Sequence, residues 1–339
     1  MKALNVAIVG ATGLVGEAFL TVLQEREFPI NRLYLLASAK SVGKTLRFKR
    51  ELQDVEDLAS FNFKDVDIAL FSAGGAVSQE YVPKAVDAGC IVIDNTSCFR
   101  YEDDIPLVVP EVNRHRIADY KNRRIIANPN CSTIQMLVAL KPLHDVVGIR
   151  RINVATYQAV SGTGRKAVSE LITQVTELIN GRPAKSSVYP QQIAFNVLPH
   201  IDEFQENGYT REEMKMVWET QKILEDNSIL VNPTTVRVPV LFGHSEAIHV
   251  EFNAPISVKD ARSYLSKAPG VVVVDDCKKG KYPTAFSHAI GHDDVYVGRI
   301  RQDLSHPCGL NLWVVADNVR KGAATNAVQI AEILLSDYL

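Results

Sequence analysis

The 339-residue chain reads as an α/β protein of two domains, on three observations. Residues up to about 127 alternate short Val/Ile-rich runs with helical stretches, the pattern of β-α-β winding. The first such run, Val6-Ala7-Ile8-Val9, passes directly into Gly10-Ala11-Thr12-Gly13-Leu14-Val15-Gly16, a glycine-spaced turn that opens a helix. Beyond about Leu143 the runs lengthen and many alternate in polarity, which predicts a second domain with an antiparallel or mixed sheet. The length agrees, since single cores stop growing near about 250–300 residues.

In the first domain, strands are expected over 5–9, 32–37, 66–72, 91–94, 107–109 and 125–127. Helices are expected over 15–26 and 78–88, the second closed by Gly89. That order predicts a parallel, doubly wound sheet of Rossmann type. In the second domain, strands are expected over 151–158, 233–241, 247–253, 271–275, 295–301 and 310–317. With helices over 165–180, 211–225 and 258–266, this is an α+β domain with its helices on one face. The opposite face of the sheet is expected to be apolar and to be buried in a two-fold homodimer. A last helix over 321–335 has Ala, Ile and Leu at packing positions and is expected to return to the first domain. The domains therefore divide as 1–132 plus 319–339, and 133–318. The stretch 181–187 reads as a surface loop.

Composition narrows the function. With 46% hydrophobic and 22% charged residues, a net charge of −2 and a pI near 6.5, nothing suggests nucleic acid or an acidic membrane as partner. No signal peptide is expected, and no stretch approaches the roughly 18 apolar residues of a membrane helix. The five cysteines are odd in number and scattered, which points to reduced thiols in a cytoplasm rather than a disulfide framework. Cys90, Cys277 and Cys308 read as having no catalytic role. No Cys-x-x-Cys pair exists and the histidine spacings match no ligand motif, so no metal site is expected.

Cys131 stands apart. In Asn128-Pro129-Asn130-Cys131-Ser132-Thr133 it lies where the apolar run Ile125-Ile126-Ala127 hands over to a helix. At a helix start the backbone N–H groups and the dipole favour an anion, and a thiol pKa there falls to roughly 3.5–7.5. The glycines Gly10, Gly13 and Gly16 allow a tight turn and close approach of a pyrophosphate. After the second strand, Ser38, Lys40 and Ser41 offer hydroxyls and a cation but no carboxylate, which suits the 2′-phosphate of NADP. A nucleophilic thiol beside a dinucleotide motif suggests hydride transfer to or from an enzyme-bound thioester. Its partners are sought at strand ends: Arg237, His244 in an exposed loop after Gly243, and the amide of Gln158.

Together, Gly10-Ala11-Thr12-Gly13-x-Val15-Gly16, Asp94-Asn95-Thr96-Ser97, Val109-Pro110-Glu111-Val112-Asn113, Pro129-Asn130-Cys131-Ser132, Tyr157-Gln158-Ala159-Val160-Ser161-Gly162 and Arg237 through Gly243-His244-Ser245-Glu246 resemble bacterial aspartate-β-semialdehyde dehydrogenases. The resemblance runs in order from residue 3 to about 335. It implies reversible, NADP-linked reductive dephosphorylation of β-aspartyl phosphate, in the biosynthesis of lysine, threonine, methionine and diaminopimelate. By the same resemblance, Cys131 forms the acyl-thioester, His244 shuttles the proton, and Gln158, Arg237 and Glu212 meet the substrate. Arg100, Lys215 and Asn130 would meet phosphate. The cofactor set would comprise Gly10, Thr12, Gly13, Leu14, Val15, Gly16, Ser38, Lys40, Ser41, Ser72, Ala73, Gly74, Asn95, Ser161, Gly162 and Asn318. Lys40 stands where many family members have arginine. The segment 181–193 is short relative to some members, a difference expected to bear on the dimer surface and not on the chemistry. The rivals are an N-acetylglutamyl-phosphate reductase-like enzyme, and an inactive paralogue that serves as a binding protein.

Overall fold

The computed structural model describes residues 3–339 and divides the chain into two units, Met1–Asn130 with Ala323–Leu339, and Cys131–Gly322. In the first unit the order is β1 (Leu4–Val9), α1 (Leu14–Glu25), β2 (Ile30–Ala37), β3 (Thr45–Phe48), β4 (Glu51–Asp57), β5 (Ile68–Phe71), α2 (Gly75–Asp87), β6 (Ile91–Asp94), α3 (Pro110–Asn113) and β7 (Ile125–Ala127). The second unit runs α4 (Cys131–Val147), β8 (Ile149–Gln158), α5 (Arg165–Ile179), α6 (Arg211–Leu224), β9 (Leu230–Arg237), β10 (His244–Phe252), α7 (Val258–Leu265), β11 (Val271–Val273), β12 (Val295–Gln302) and β13 (Gly309–Ala316). The closing helix α8 (Thr325–Asp337) belongs to the first unit.

The first sheet has the order β3-β4-β2-β1-β5-β6-β7, parallel throughout except for the antiparallel edge pair β3–β4. Its central strands are apolar on both faces because helices cover both, as parallel winding requires. α8 lies on α1, and Ala327, Val328, Ala331 and Leu334 share a core with Phe19, Leu23 and Ile8. The hairpin β3–β4 is absent from the sequence expectation. Its strands carry Arg47, Glu51, Asp54 and Glu56 on an exposed sheet edge, where charge replaces the apolar signal. The strand expected at 107–109 is reduced to a single bridge, Leu107 to Ala127. Pro106 and Pro110 flank it and have no N–H to donate to a ladder.

The second sheet has the order β11-β12-β13-β10-β8-β9 and is mixed, with β8–β9 and β11–β12 parallel and the rest antiparallel. Helices α4 and α6 pack on the face that carries Thr156, Thr235 and Glu246. The strand expected over 233–241 ends at Arg237, four residues early. Pro239 breaks the ladder and Val240 folds back to bond Val238. The opposite face was expected to be apolar and is instead mixed. A polar ladder crosses it, from the Tyr209 hydroxyl to Asn232 (2.9 Å), Asn153 (3.1 Å), His249 (3.2 Å) and Asp303 (2.6 Å). Apolar surface remains at Tyr157 and Trp313, whose rings meet at 5.5 Å. Among the described residues no helix is long and apolar enough to cross a membrane.

Candidate active site

In the first unit, several residues read as cofactor ligands converge at the C-terminal ends of β1, β2 and β5. Gly10 has φ +91, and a Cβ there would meet the Ser72 carbonyl oxygen at 2.5 Å, so only glycine lets the turn lie against Ser72 and Ala73. A Cβ on Gly16 would sit 2.3 Å from the Gly10 carbonyl oxygen, which closes α1 onto the turn. Gly13 precedes α1 and no side chain caps its first turn, leaving Leu14 and Val15 to present helix N-terminal amides. Thr12 and Ser41 hydroxyls meet at 3.3 Å, and the Asn95 amide reaches the Ser72 hydroxyl at 3.4 Å. Ser38 and Lys40 are exposed just after β2, and Gly74 leads into α2. An uncapped helix start above a turn that admits no Cβ at Gly10 or Gly16 is a cradle that fits a dinucleotide pyrophosphate.

The same unit holds Arg100 and Asn130, both buried, with Arg100 donating to the Asn95 carbonyl at 2.9 Å. A set of buried amides, unremarked in the sequence, fixes the chain after β7. Asn128 donates to Asn95 (2.7 Å) and accepts from Asn326 (2.7 Å), which also donates to the Val108 carbonyl (2.9 Å). Asp94 accepts from Thr96 and Ser78, and burial pushes its carboxyl above the ordinary value despite those bonds.

In the second unit Cys131 is the first residue of α4, as the strand-to-helix reading requires. A side chain at Gly322 would strike the Cys131 Cβ at 2.7 Å, so the Gly322 backbone lies against the cysteine. Nothing in the local sequence around Gly322 signals this, because the contact is made across about 190 residues.

His244 is not in an exposed loop. It is the first residue of β10 and fully buried, because the ladder with β13 begins at His244 opposite Ala316. Its Nδ1 accepts the Ala159 backbone N–H at 3.0 Å, so the neutral ring carries its proton on Nε2. Burial pushes the imidazole down to about 3, the nearby Arg237 guanidinium adds to this, and Glu212 only partly offsets it. Arg237, the last residue of β9, donates from Nη1 to the Ala159 carbonyl at 2.7 Å. A Cβ at Gly162 would lie 3.0 Å from Arg237 Nη1 and 3.3 Å from His244 Nε2, so these two groups converge on the space Gly162 leaves open.

A buried chain of bonds runs beside them. Thr156 donates to the Gln158 amide oxygen (3.0 Å), and Gln158 donates to Glu212 (3.1 Å). The other Glu212 oxygen accepts from Lys215 (3.0 Å), which also pairs with Asp202 (2.7 Å). Burial would lower the Lys215 ammonium, but the two carboxylates outweigh it and raise its pKa. Glu212 is thereby positioned by Gln158 on one side and Lys215 on the other. Asn318 accepts from the Ser161 hydroxyl (3.1 Å) and the Gly243 N–H (2.9 Å), which turns its amide nitrogen away from both. Within this unit the fold thus gathers Ser161, Gly162, His244, Arg237 and Asn318, and links Gln158, Glu212 and Lys215. Glu246, two residues beyond His244 on the same strand face, was not singled out in the sequence. It is fully buried, and burial pushes its carboxyl well above the ordinary value, with Gln135 of α4 acting the other way. Among the described residues no group of three or more His, Cys, Asp or Glu could hold a metal ion.

Comparison with known proteins agrees with this layout. The family profile "Semialdehyde dehydrogenase, NAD binding domain" matches residues 5–120, and "Semialdehyde dehydrogenase, dimerisation domain" matches residues 140–321. An aspartate-semialdehyde dehydrogenase of Legionella pneumophila is 72% identical over 336 residues, covering 99% of this chain and 97% of the relative. The crystal structure of aspartate semialdehyde dehydrogenase II from Vibrio cholerae, complexed with ASA, superposes with a TM-score of 0.98 at 59% identity, covering 100% of both chains. A Candida albicans aspartate semialdehyde dehydrogenase with NADP gives a TM-score of 0.75 at 26% identity and 99% coverage of each chain. With a cysteine at a helix start, a buried histidine–arginine pair and a dinucleotide cradle on its two units, the chain belongs to the oxidoreductase family of aspartate-semialdehyde dehydrogenases.

Proposed function

We propose that this protein catalyses the NADP-linked reductive dephosphorylation of β-aspartyl phosphate through an acyl-thioester on Cys131. The thiolate attacks the acyl phosphate carbon, phosphate leaves, and the thioester that remains is a far better hydride acceptor than a carboxylate. The Gly10–Gly16 turn and the start of α1 would hold NADPH, which when bound would supply the hydride. The thiohemiacetal oxyanion then collapses to aldehyde and regenerates the thiolate. Arg237 pairs with the substrate α-carboxylate, and Gln158 and Glu212 contact the rest of the aspartyl group. Arg100, Lys215 and Asn130 bind phosphate, and Asn318 meets the nicotinamide carboxamide.

The observation that carries this reading is the state of His244. Its Nδ1 is occupied by a backbone N–H and its ring is held neutral, so Nε2–H is a donor aimed at the space above Gly162. Each carbonyl addition in the scheme makes an oxyanion, and the thiolate needs no proton to leave. A fixed N–H donor is what those oxyanions require. On this reading the part that His244 plays in the proton shuttle is hydrogen-bond donation from Nε2 to each oxyanion. The matched dimerisation domain supports a homodimer, and five cysteines of which none forms a disulfide among the described residues suit a reducing cytoplasm.

Phosphate-dependent NADP reduction with aspartate semialdehyde, run beside N-acetylglutamate semialdehyde, tests the assignment. Turnover of the first alone is expected. Preference for the second would move the protein to the N-acetylglutamyl-phosphate reductase class, and silence with both would leave a binding protein.

A further inference from the structure

The segment 181–198 reaches Arg237 through Leu198 and Tyr189. Glu170 of α5 accepts from the Ser187 N–H and hydroxyl, the Val188 N–H (2.6 Å) and the Tyr189 N–H (3.3 Å). Burial opposes ionisation of this carboxyl, yet the donated bonds outweigh it and hold the pKa below the ordinary value. One turn along, Gln174 accepts the Ile193 and Ala194 N–H groups, both at 3.0 Å. The segment so anchored packs Tyr189, Ile193, Ala194 and Leu198 against Ala167 and Leu171 of α5. It then grips Arg237 twice. Leu198 exchanges both backbone hydrogen bonds with Arg237, at 2.9 and 2.8 Å. The Tyr189 ring faces the guanidinium, with Cζ 5.9 Å from the ring centre, while its hydroxyl donates to Thr163 at 3.1 Å. Tyr189 and Arg237 are 9% and 5% exposed, so water competes little for that face.

We propose that Tyr189 is a positioning residue for Arg237, its ring setting the plane in which the guanidinium fork meets the substrate α-carboxylate. The inference rests on the reading of Arg237 as the carboxylate partner. An arginine held by one backbone carbonyl alone can swing about its side-chain torsions, and a wall on its face removes that freedom before substrate arrives.

Initial rates in the phosphorylating direction, varying aspartate semialdehyde, phosphate and NADP in turn, test this with full-length variants of verified dimer mass and circular dichroism. Tyr189→Leu should raise the KM for aspartate semialdehyde about 3- to 30-fold, the worth of a desolvated cation–π contact. The KM values for phosphate and NADP should stay within about twofold, and Tyr189→Phe, which keeps the ring, should restore the substrate KM. If Tyr189→Leu fails to fold, Tyr189→Met fills a similar volume and should give the same split. An unchanged substrate KM in a folded Leu or Met variant, or a parallel rise in all three constants, overturns the proposal. Arg237→Leu serves as control: if it leaves the substrate KM intact, the carboxylate reading itself fails.

Discussion

At Cys131 the placement could be read directly from sequence: a buried strand, β7, hands over to an apolar-periodic helix, and the thiol is the first residue of α4. His244 could be named but not placed: Gly243 ahead of it resembles a loop, and only the ladder to β13 shows that the residue is buried. The buried, neutral imidazole carries two consequences. His244→Ala should lose about 10²–10³ in kcat, the cost of one oxyanion donor, with NADP binding nearly intact; a kcat within a few-fold of wild type would remove it from the mechanism. His244 also links stability to pH. Its pKa falls from 6.5 to about 3 on folding, so between those values the unfolded chain holds the extra proton. Its contribution is therefore present above about pH 6.5 and lost as pH falls toward 3, at about 1.4 kcal/mol per pH unit. Urea titrations across pH 4–7 should show a steeper acid loss in wild type than in a folded His244→Asn variant, and equal slopes would contradict a neutral buried ring.

Elements with regular periodicity were the legible ones: α1, α5, α6, β6 and β7 fall within a residue or two of where apolar spacing and caps put them. Elements whose limits depend on neighbours were not. β9 stops at Arg237 because Pro239 follows, and β3–β4 hides its strands behind edge charges. Glu246 shows the same blindness, since β10 reads as an ordinary alternating strand and nothing in it announces a carboxyl sealed under α4. Because its folded pKa is raised, the folded state keeps a proton that the unfolded chain releases above about 4.5. The stability it contributes is present at low pH and declines as pH rises. Glu246→Gln removes that decline, so its melting temperature relative to wild type should be higher at pH 8 than at pH 5; the reverse order would show an ionised Glu246. The proposed seat of cofactor choice is the turn after β2, where Lys40 stands exposed beside Ser41, whose hydroxyl meets that of Thr12. Lys40→Glu should shift the kcat/KM ratio from NADP toward NAD by at least about tenfold, and an unaltered ratio would show that this turn does not select.

For the molecule as a whole, two units and a returning C-terminal helix were legible from the change of texture near Leu143 and the packing residues of α8. The outer sheet face was misread as apolar, because alternation reveals which residues share a face but not that Asn153, Asn232 and His249 bond across it. A face of that mixed character, with Tyr157 and Trp313 on it, suits a wet two-fold contact better than an oily one. Light scattering coupled to size exclusion should report about twice the 37.5 kDa chain mass, and a monomer at micromolar concentration would contradict the dimer. The most direct test of the thioester chemistry is to mix the intact enzyme with β-aspartyl phosphate without reduced cofactor, quench in acid and map the peptides by mass. An aspartyl adduct on the Cys131 peptide, released by hydroxylamine and absent in Cys131→Ser, is the expected result. An unmodified Cys131 peptide, or an adduct on Cys98 or another cysteine, would contradict it.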